Sequence, residues 1–231
     1  MKIYGGIYFD ESGISTSIRG MHLQTEMMGV MNDNINGFNK VGYQKQTPVL
    51  SSFAEFIGPH ALSSAKNEEV GRLTLTKNPL DFAMGKVGYF QYKTPDGIKL
   101  TRDGRFKLDK EGFLTNLEGH KVLGADGLPV KFKKIPEKLE DIKVGVDGVI
   151  KVYDKETNKI ASVGALSVVS TNGNIAEAVD VRQGFVEDSN VSLQEEFLNL
   201  VPVRRSFEAN RQMYIIQNDA LTKILQELGR A

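Results

Sequence analysis

Apolar residues recur at alternating steps of four and three in two separate segments of the chain. The first segment runs from residue 14 to residue 35, with Thr25 and Asn32 as polar members, and the second runs from residue 193 to residue 228. This spacing is typical of the face along which one helix packs against another. The pattern predicts two helices with the following seam residues: Ile14, Ile18, Met21, Met28 and Ile35 in the first, and Leu193, Phe197, Leu200, Phe207, Tyr214, Leu221, Leu225 and Leu228 in the second.

The second helix has a clear start and one irregularity. Ser192 and Glu195 have the spacing of a capping box, in which the two side chains satisfy amides at a helix N-terminus. A helix over 193–228 would be roughly 54 Å long, whereas a compact chain of this length has a radius of gyration of only ~17 Å. This helix therefore needs another helix as its partner. Pro202 predicts a kink near residues 198–202, or two helices joined there.

The region between the helices predicts an antiparallel β domain. Short runs with period two, such as Arg105–Leu108, alternate with turn dipeptides that end in glycine. These turn signals are Pro95-Asp96-Gly97, Asp103-Gly104, Glu111-Gly112, Glu118-Gly119, Asp126-Gly127 and Asp147-Gly148. The expected fold class is α+β, with a mainly β, antiparallel central domain between N- and C-terminal helices. We expect an N-terminal helical segment (1–46), a linker (47–70), a β domain (71–180) and a C-terminal helical segment (181–231).

Composition narrows the functional classes. The 231 residues carry 29 basic and 29 acidic side chains, so there is no net charge to attract a nucleic acid. The absence of cysteine excludes disulfides, thiolate nucleophiles and cysteine-bound metals. No apolar run reaches the ~18 residues of a membrane span. Asp10, Glu11 and Arg19 interrupt any apolar core of a signal peptide.

The search for reactive groups assigns no catalytic, cofactor-binding or metal-binding residue. His22, His60 and His120 fall in three different zones and are interpreted as ordinary surface or partly buried side chains. Acidic residues beside glycines are interpreted as turn formers, and paired carboxylates of a cell-wall carbohydrate hydrolase are the weaker alternative. Arg204, Arg205 and Arg211 share their helix with several glutamates, which favours a mixed-charge helix over a site for anions or membranes.

Three stretches resemble the flagellar axial rod/hook family, in its FlgF/FlgG branch. The first runs from Gly20-Met21 to Gly42-Tyr43 and includes Asp33-Asn34-Ile35-Asn36, which stands where the family has Asn-Asn-Leu-Ala-Asn. The second, the most specific, includes Gly88-Tyr89-Phe90-Gln91, Thr94-Pro95-Asp96-Gly97 and Thr101-Arg102-Asp103-Gly104-Arg105-Phe106. The third joins Gln183-Gly184-Phe185-Val186-Glu187-Asp188-Ser189-Asn190-Val191 to Arg204-Arg205-Ser206-Phe207-Glu208-Ala209-Asn210.

The resemblance implies a structural function without catalysis or cofactors. Such proteins stack helically into the rod that crosses the periplasm and transmits torque to the hook, and flagellar type III export delivers them uncleaved. The expected partners are therefore copies of this chain, other rod and hook proteins and the export apparatus. The terminal helices would form a coiled-coil-like core of the assembly through the seam residues. A hook or hook-junction subunit, or an export-stage monomer held by a chaperone, stays an alternative, as does the proximal or distal position in a rod.

Overall fold

The computed structural model describes residues 13–50, 62–136, 138–154, 159–176 and 179–229. Within these residues lie two α-helices, α1 (Gly13–Gly37) and α2 (Leu193–Leu228), and a short 3-10 turn at Leu139–Asp141. Both helices confirm the predicted segments. His60 and the predicted interruptions at Asp10 and Glu11 lie outside the described residues.

The strands of the described residues all pair antiparallel, which confirms the predicted mainly β centre. Their bounds are β1 (Gln46–Leu50), β2 (Leu62–Lys66), β3 (Leu73–Leu75), β4 (Phe82–Met84), β5 (Tyr89–Thr94), β6 (Gly97–Thr101), β7 (Lys107–Leu108), β8 (Leu114–Thr115), β9 (Lys121–Val122), β10 (Ile142–Val144), β11 (Val149–Asp154), β12 (Lys159–Ala165), β13 (Val168–Val169), β14 (Val181–Gln183) and β15 (Phe185–Glu187).

One apolar core holds the central strands together. A six-stranded sheet has the order β13-β5-β9-β8-β7, with β6 beside β5, and a three-stranded sheet has the order β10-β11-β12. Burial alternates with period two along Val149–Tyr153 of β11, whereas both residues of β8 and both residues of β13 are buried. The core contains Leu80, Phe82, Met84, Phe90, Phe106, Leu114, Val122, Val130, Phe132, Ile142, Ile150, Leu166, Val168 and Val181. Leu108 packs against it beside Phe106, as the alternation predicts.

The turn dipeptides behave as predicted, with one informative exception. The glycines at 97, 112, 119, 127 and 148 have φ between +77 and +131, where side chains with a Cβ are strained. Gly104 does not have a positive φ. Instead, a Cβ at Gly104 would collide with the carbonyl oxygen of Phe82, and the carbonyl of Gly104 accepts a hydrogen bond from the Phe82 N–H at 2.9 Å. This glycine is needed for close approach between backbones.

Helix α2 has the predicted N-cap and continues through Pro202. The Ser192 hydroxyl accepts a hydrogen bond from the Glu195 N–H at 3.5 Å, which confirms Ser192 as the N-cap. The helix then runs without a break through Pro202, so the alternative of two separate helices is wrong. Proline deprives the carbonyl four residues earlier of its helical donor. That carbonyl belongs to Leu198, whose side chain is 74% exposed, on a part of the helix that water can reach.

The chain divides into two compact units that are discontinuous in sequence. The helical unit comprises the described residues of Met1–Asn36, Gln46–Asn67 and Val191–Ala231, and the β unit those of Gly37–Lys45 and Glu68–Asn190. This division differs from the expected one at three places. Residues 37–45, expected in the N-terminal helical segment, belong to the β unit. Residues 47–70, expected to be a linker, contain β1 and β2, which pair with each other. Residues 181–190, expected in the C-terminal helical segment, contribute β14 and β15, which pair with β4 and β3.

Candidate assembly interface

Helices α1 and α2 pack against each other as an antiparallel pair inside the helical unit. Gly13 lies against Gln217 and Gly20 lies against Asn210. Near the other end, the Asn34 amide donates to the Glu196 carboxylate at 3.1 Å. Each heptad step forward along α1 is thus matched by a heptad step backward along α2. The second helix therefore has its partner, over this length, in the same chain.

The covered face of α2 lies one residue away from half of the predicted seam. Buried and half-buried positions of α2 follow three- and four-residue steps: Leu193, Glu196, Leu200, Val203, Phe207, Asn210, Tyr214 and Gln217. Leu193, Leu200, Phe207 and Tyr214 belong to the predicted seam, and each is half-buried. Phe197 is 54% exposed, because Glu196 occupies the position that faces inward.

Helix α1 shows the same one-residue displacement. Its most buried side chains are Ser17, Met31 and Asn34, none of which is a predicted seam residue. The predicted residues Ile14, Met21, Met28 and Ile35 flank this stripe and are half-buried, whereas Ile18 is 48% exposed. A seven-residue repeat fits two adjacent stripes equally well, so the apolar pattern alone did not distinguish them. The signal that distinguishes them is the heptad spacing of Gly13 and Gly20.

A buried polar cluster fixes the end of α1. The Asn34 side chain is 1% exposed. Its oxygen accepts from the Gln46 N–H at 2.8 Å, and its amide donates to the Gln46 carbonyl at 2.8 Å. The same amide donates to Glu196, which is 2% exposed. Asn34 thus bonds to the start of β1 and to the first turn of α2 at once.

The C-terminal part of α2 presents apolar side chains to solvent. All the described residues from 218 onward are exposed. The predicted seam residues Leu221, Leu225 and Leu228 are 48%, 68% and 69% exposed, and Ile224 is 52% exposed. Four large apolar side chains on adjacent turns of one helix are characteristic of a surface that another molecule covers.

A buried ion pair organises the β unit around the loop that follows α1. The Arg102 guanidinium donates to Glu187 at 2.9 and 3.0 Å, and both side chains are almost wholly buried. Arg102 also donates to the carbonyl of Gly88 at 3.0 Å. A Cβ at Gly42 would lie 2.6 Å from the backbone of Arg102, and the Gly42 N–H donates to the Glu187 carbonyl. Sequence reasoning assigned no role to Arg102 or Glu187, which lie 85 residues apart.

The acidic residues of the turns hydrogen-bond the backbone of their own turns. The carboxylate oxygens of Asp103, Asp109, Asp126 and Asp147 each accept from an N–H two residues further along. This geometry is that of an Asx turn. Asp103 also pairs with Arg105 at 2.6 Å. The turn interpretation is confirmed for Asp103, Asp126 and Asp147, each of which precedes a glycine.

The remaining candidate residues are the described histidines and the arginines of α2. His22 lies 3.8 Å from Glu26 on α1, and His120 stacks on Tyr92 and lies 3.2 Å from Glu118. Among the residues described, no group of three or more potential metal ligands occurs. Arg204 pairs with Glu208 at 3.1 Å on an exposed face of α2, in line with a mixed-charge helix. Over the part of the chain that the structure describes, neither helix is both long and apolar enough to cross a membrane.

Comparison with known proteins agrees with a structural function. Residues 84–152 match the family described as flagellar hook protein FlgE/F/G D1 domain, and residues 182–227 match flagellar basal body rod FlgEFG protein C-terminal. The rod protein FlgF of Mesorhizobium japonicum is 32% identical over 197 residues, which are 76% of this chain and 80% of that protein.

Two further relatives cover almost the full length of the chain. FlgF of Rhizobium meliloti is 27% identical over 95% of this chain and 98% of its own length. FlgG of Bacillus subtilis is 26% identical over 92% of this chain and 96% of its own length. These matches define the class, which is a structural component of the bacterial flagellar basal body and not a class of enzyme. The chain belongs to the FlgF/FlgG family of flagellar basal-body rod proteins.

Proposed function

We propose that this rod subunit polymerises helically with copies of itself and with neighbouring rod and hook proteins. The polymer is the drive shaft that spans the periplasm and transmits torque. The subunit reaches it through the flagellar type III export apparatus without cleavage, and performs no catalysis. The proposal rests mainly on the exposed apolar surface of α2 at Leu221, Ile224, Leu225 and Leu228. Family membership supports the rod, since the relatives compared above are named rod proteins.

The proposed subunit contacts use the exposed seam residues of both helices. Ile18 on α1 and Phe197, Leu221, Leu225 and Leu228 on α2 carry large apolar side chains that are 48–69% exposed. Burial of one such side chain contributes about 1.5–3 kcal/mol. Contacts of this kind, repeated head to tail between identical subunits, generate a helical filament when the rotation does not close.

The test is complementation of a strain that lacks this protein, with Leu221→Asp and Thr222→Asp as a matched pair. Both changes add one negative charge to neighbouring exposed residues of α2, but only the first removes an apolar side chain. We expect Leu221→Asp to be exported and folded yet to abolish complete rods, whereas Thr222→Asp restores them. Electron microscopy of isolated basal bodies measures rod length, and circular dichroism of the purified variant checks the β unit.

Two outcomes would contradict different parts of the proposal. Rods of normal length with Leu221→Asp would show that the exposed apolar surface of α2 does not carry subunit contacts. Complete rods in the strain that lacks the protein altogether would show that the chain is not a required rod subunit. A strain with complete rods but no hook would instead favour the alternative of a hook or hook-junction subunit.

A further inference from the structure

The contact between α1 and α2 includes several polar side chains. Gln24 on α1 accepts a hydrogen bond from the Asn210 amide on α2 at 3.1 Å. Asn34 donates to Glu196 at 3.1 Å, and both are almost completely buried. The apolar side chains Ile18 and Phe197 point to solvent instead. The helices thus place amides and a carboxylate where leucines would give more apolar burial.

The polar residues coincide with glycines at heptad spacing. A Cβ on Gly20 would lie 2.5 Å from the Asn210 amide nitrogen, so the Asn210 side chain occupies the space that Gly20 leaves open. Gly13 leaves space for Gln217 in the same way, one heptad further along. In the observed alignment each of these glycines leaves room for the larger polar side chain that lies against it.

We infer that Gly20, Gln24, Asn34, Glu196 and Asn210 fix the register of the antiparallel α1–α2 pair. A slip of one heptad in one direction sets Met27 opposite Asn210 and Asn34 opposite Val203. A slip in the other direction sets Met27 opposite Glu196. Either slip buries an amide or a carboxylate beside an apolar side chain, and buried polar groups without partners are strongly disfavoured. A polar pair in the seam of a helical bundle specifies register in the same way.

The register determines which part of α2 is available to other subunits. Because Gly13, the first described residue of α1, lies against Gln217, the described part of α1 leaves the α2 residues from 218 onward exposed. A slip of one heptad would shift the end of this exposed surface by two turns of helix. The register thus sets the position of Leu221, Leu225 and Leu228 relative to α1.

Cysteine crosslinking tests the register, because the natural chain contains no cysteine. Met31→Cys on α1 is combined in turn with Leu200→Cys, Phe207→Cys or Leu193→Cys on α2. The first combination reports the observed register, and the others report slips of one heptad in the two directions. Intramolecular disulfides are counted by mass spectrometry of the oxidised full-length monomer, so that the result does not depend on polymerisation.

The three combinations are compared in the natural sequence background and in two altered ones. The first replaces Gln24, Asn210 and Glu196 by leucine. The second is a matched control that replaces the exposed α2 residues Gln194, Gln212 and Asn218 by leucine. In the natural background and in the control we expect only the Met31–Leu200 combination to form a disulfide. In the first altered background, called the apolar seam background, we expect the disulfide yield of the two slipped combinations to rise at least tenfold.

Three results would overturn the inference. The first is that no disulfide forms between the cysteines introduced at positions 31 and 200 in the natural background. The second is the formation of all three disulfides there in similar yield, since the pair would then have no unique register. The third is that, in the apolar seam background, only the cysteines at positions 31 and 200 form a disulfide while circular dichroism shows intact helices. Each of these results leaves the polymerisation proposal standing, because that proposal is tested by rod assembly.

Discussion

Arg102 and Glu187 show how strongly single residues can determine the β unit. Their ion pair is inaccessible to solvent, and the Glu187 carboxylate also accepts from the Gly71 N–H at 3.0 Å. The Arg102 guanidinium lies 5.8 Å from the centre of the Tyr89 ring, and the Tyr89 hydroxyl donates to the Gln44 side chain at 2.8 Å. The charge pair thereby connects β6, β15 and the loop after α1 within one unit.

Removing one partner of this pair should destabilise the protein severely. Arg102→Met leaves the Glu187 carboxylate buried without its cation, and breaking a buried pair in this way costs about 3–5 kcal/mol. The double variant Arg102→Met/Glu187→Leu removes both charges and should recover much of the loss. Urea unfolding of the single and double variants measures the difference. If the double variant is as unstable as the single one, the uncompensated charge is not the cause.

Helix α2 is the element in which sequence pattern and packing disagree most clearly. The apolar residues of its seam and the residues that α1 covers coincide at Leu200 and Phe207 but diverge at Phe197 and Glu196. Sequence reasoning counted apolar side chains and therefore selected Phe197. Packing against α1 selected Glu196 instead, because Asn34 on α1 provides it with a hydrogen-bond donor.

Pro202 should weaken α2 without any compensating contact that the structure shows. It is exposed and interior to the helix, where proline is about 3 kcal/mol less favourable than alanine. We expect Pro202→Ala to raise the free energy of unfolding of the helical unit by about 1–3 kcal/mol, since it restores a donor and removes a clash. Thermal unfolding followed at 222 nm measures this gain. Leu198→Ala, also exposed on this part of α2, serves as a control that should change stability little.

At the scale of the whole molecule, assembly and folding should depend on different residues. The described residues from 218 onward are all exposed, and the first described residue of α1, Gly13, lies against Gln217. Deletion of residues 218–231 should therefore leave the unfolding transitions of both units within a few degrees of their original midpoints. The same deletion should abolish rod assembly. Calorimetry measures the first effect and complementation the second, and a β unit that unfolds with the deletion would contradict this separation.

The sequence by itself determined the helices, the antiparallel strands and the family. Helix bounds follow from local signals, such as the Ser192 cap and the uninterrupted four-three steps, which act within a few residues. The turns follow from glycines that alone accept φ between +77 and +131 at low cost. The family follows from motifs such as Thr101–Phe106, in which the structure gives Arg102 an ion pair and Phe106 a place in the core.

Only the tertiary structure decided which face of each helix is covered and which residues form the two units. The pairing of Asn34 with Glu196 joins residues 162 positions apart, and that of Arg102 with Glu187 joins residues 85 positions apart. No local pattern marks either pair, because a side chain acquires such a partner only when the chain folds back on itself. The same holds for β14 and β15, whose partners β4 and β3 lie about a hundred residues earlier in the chain.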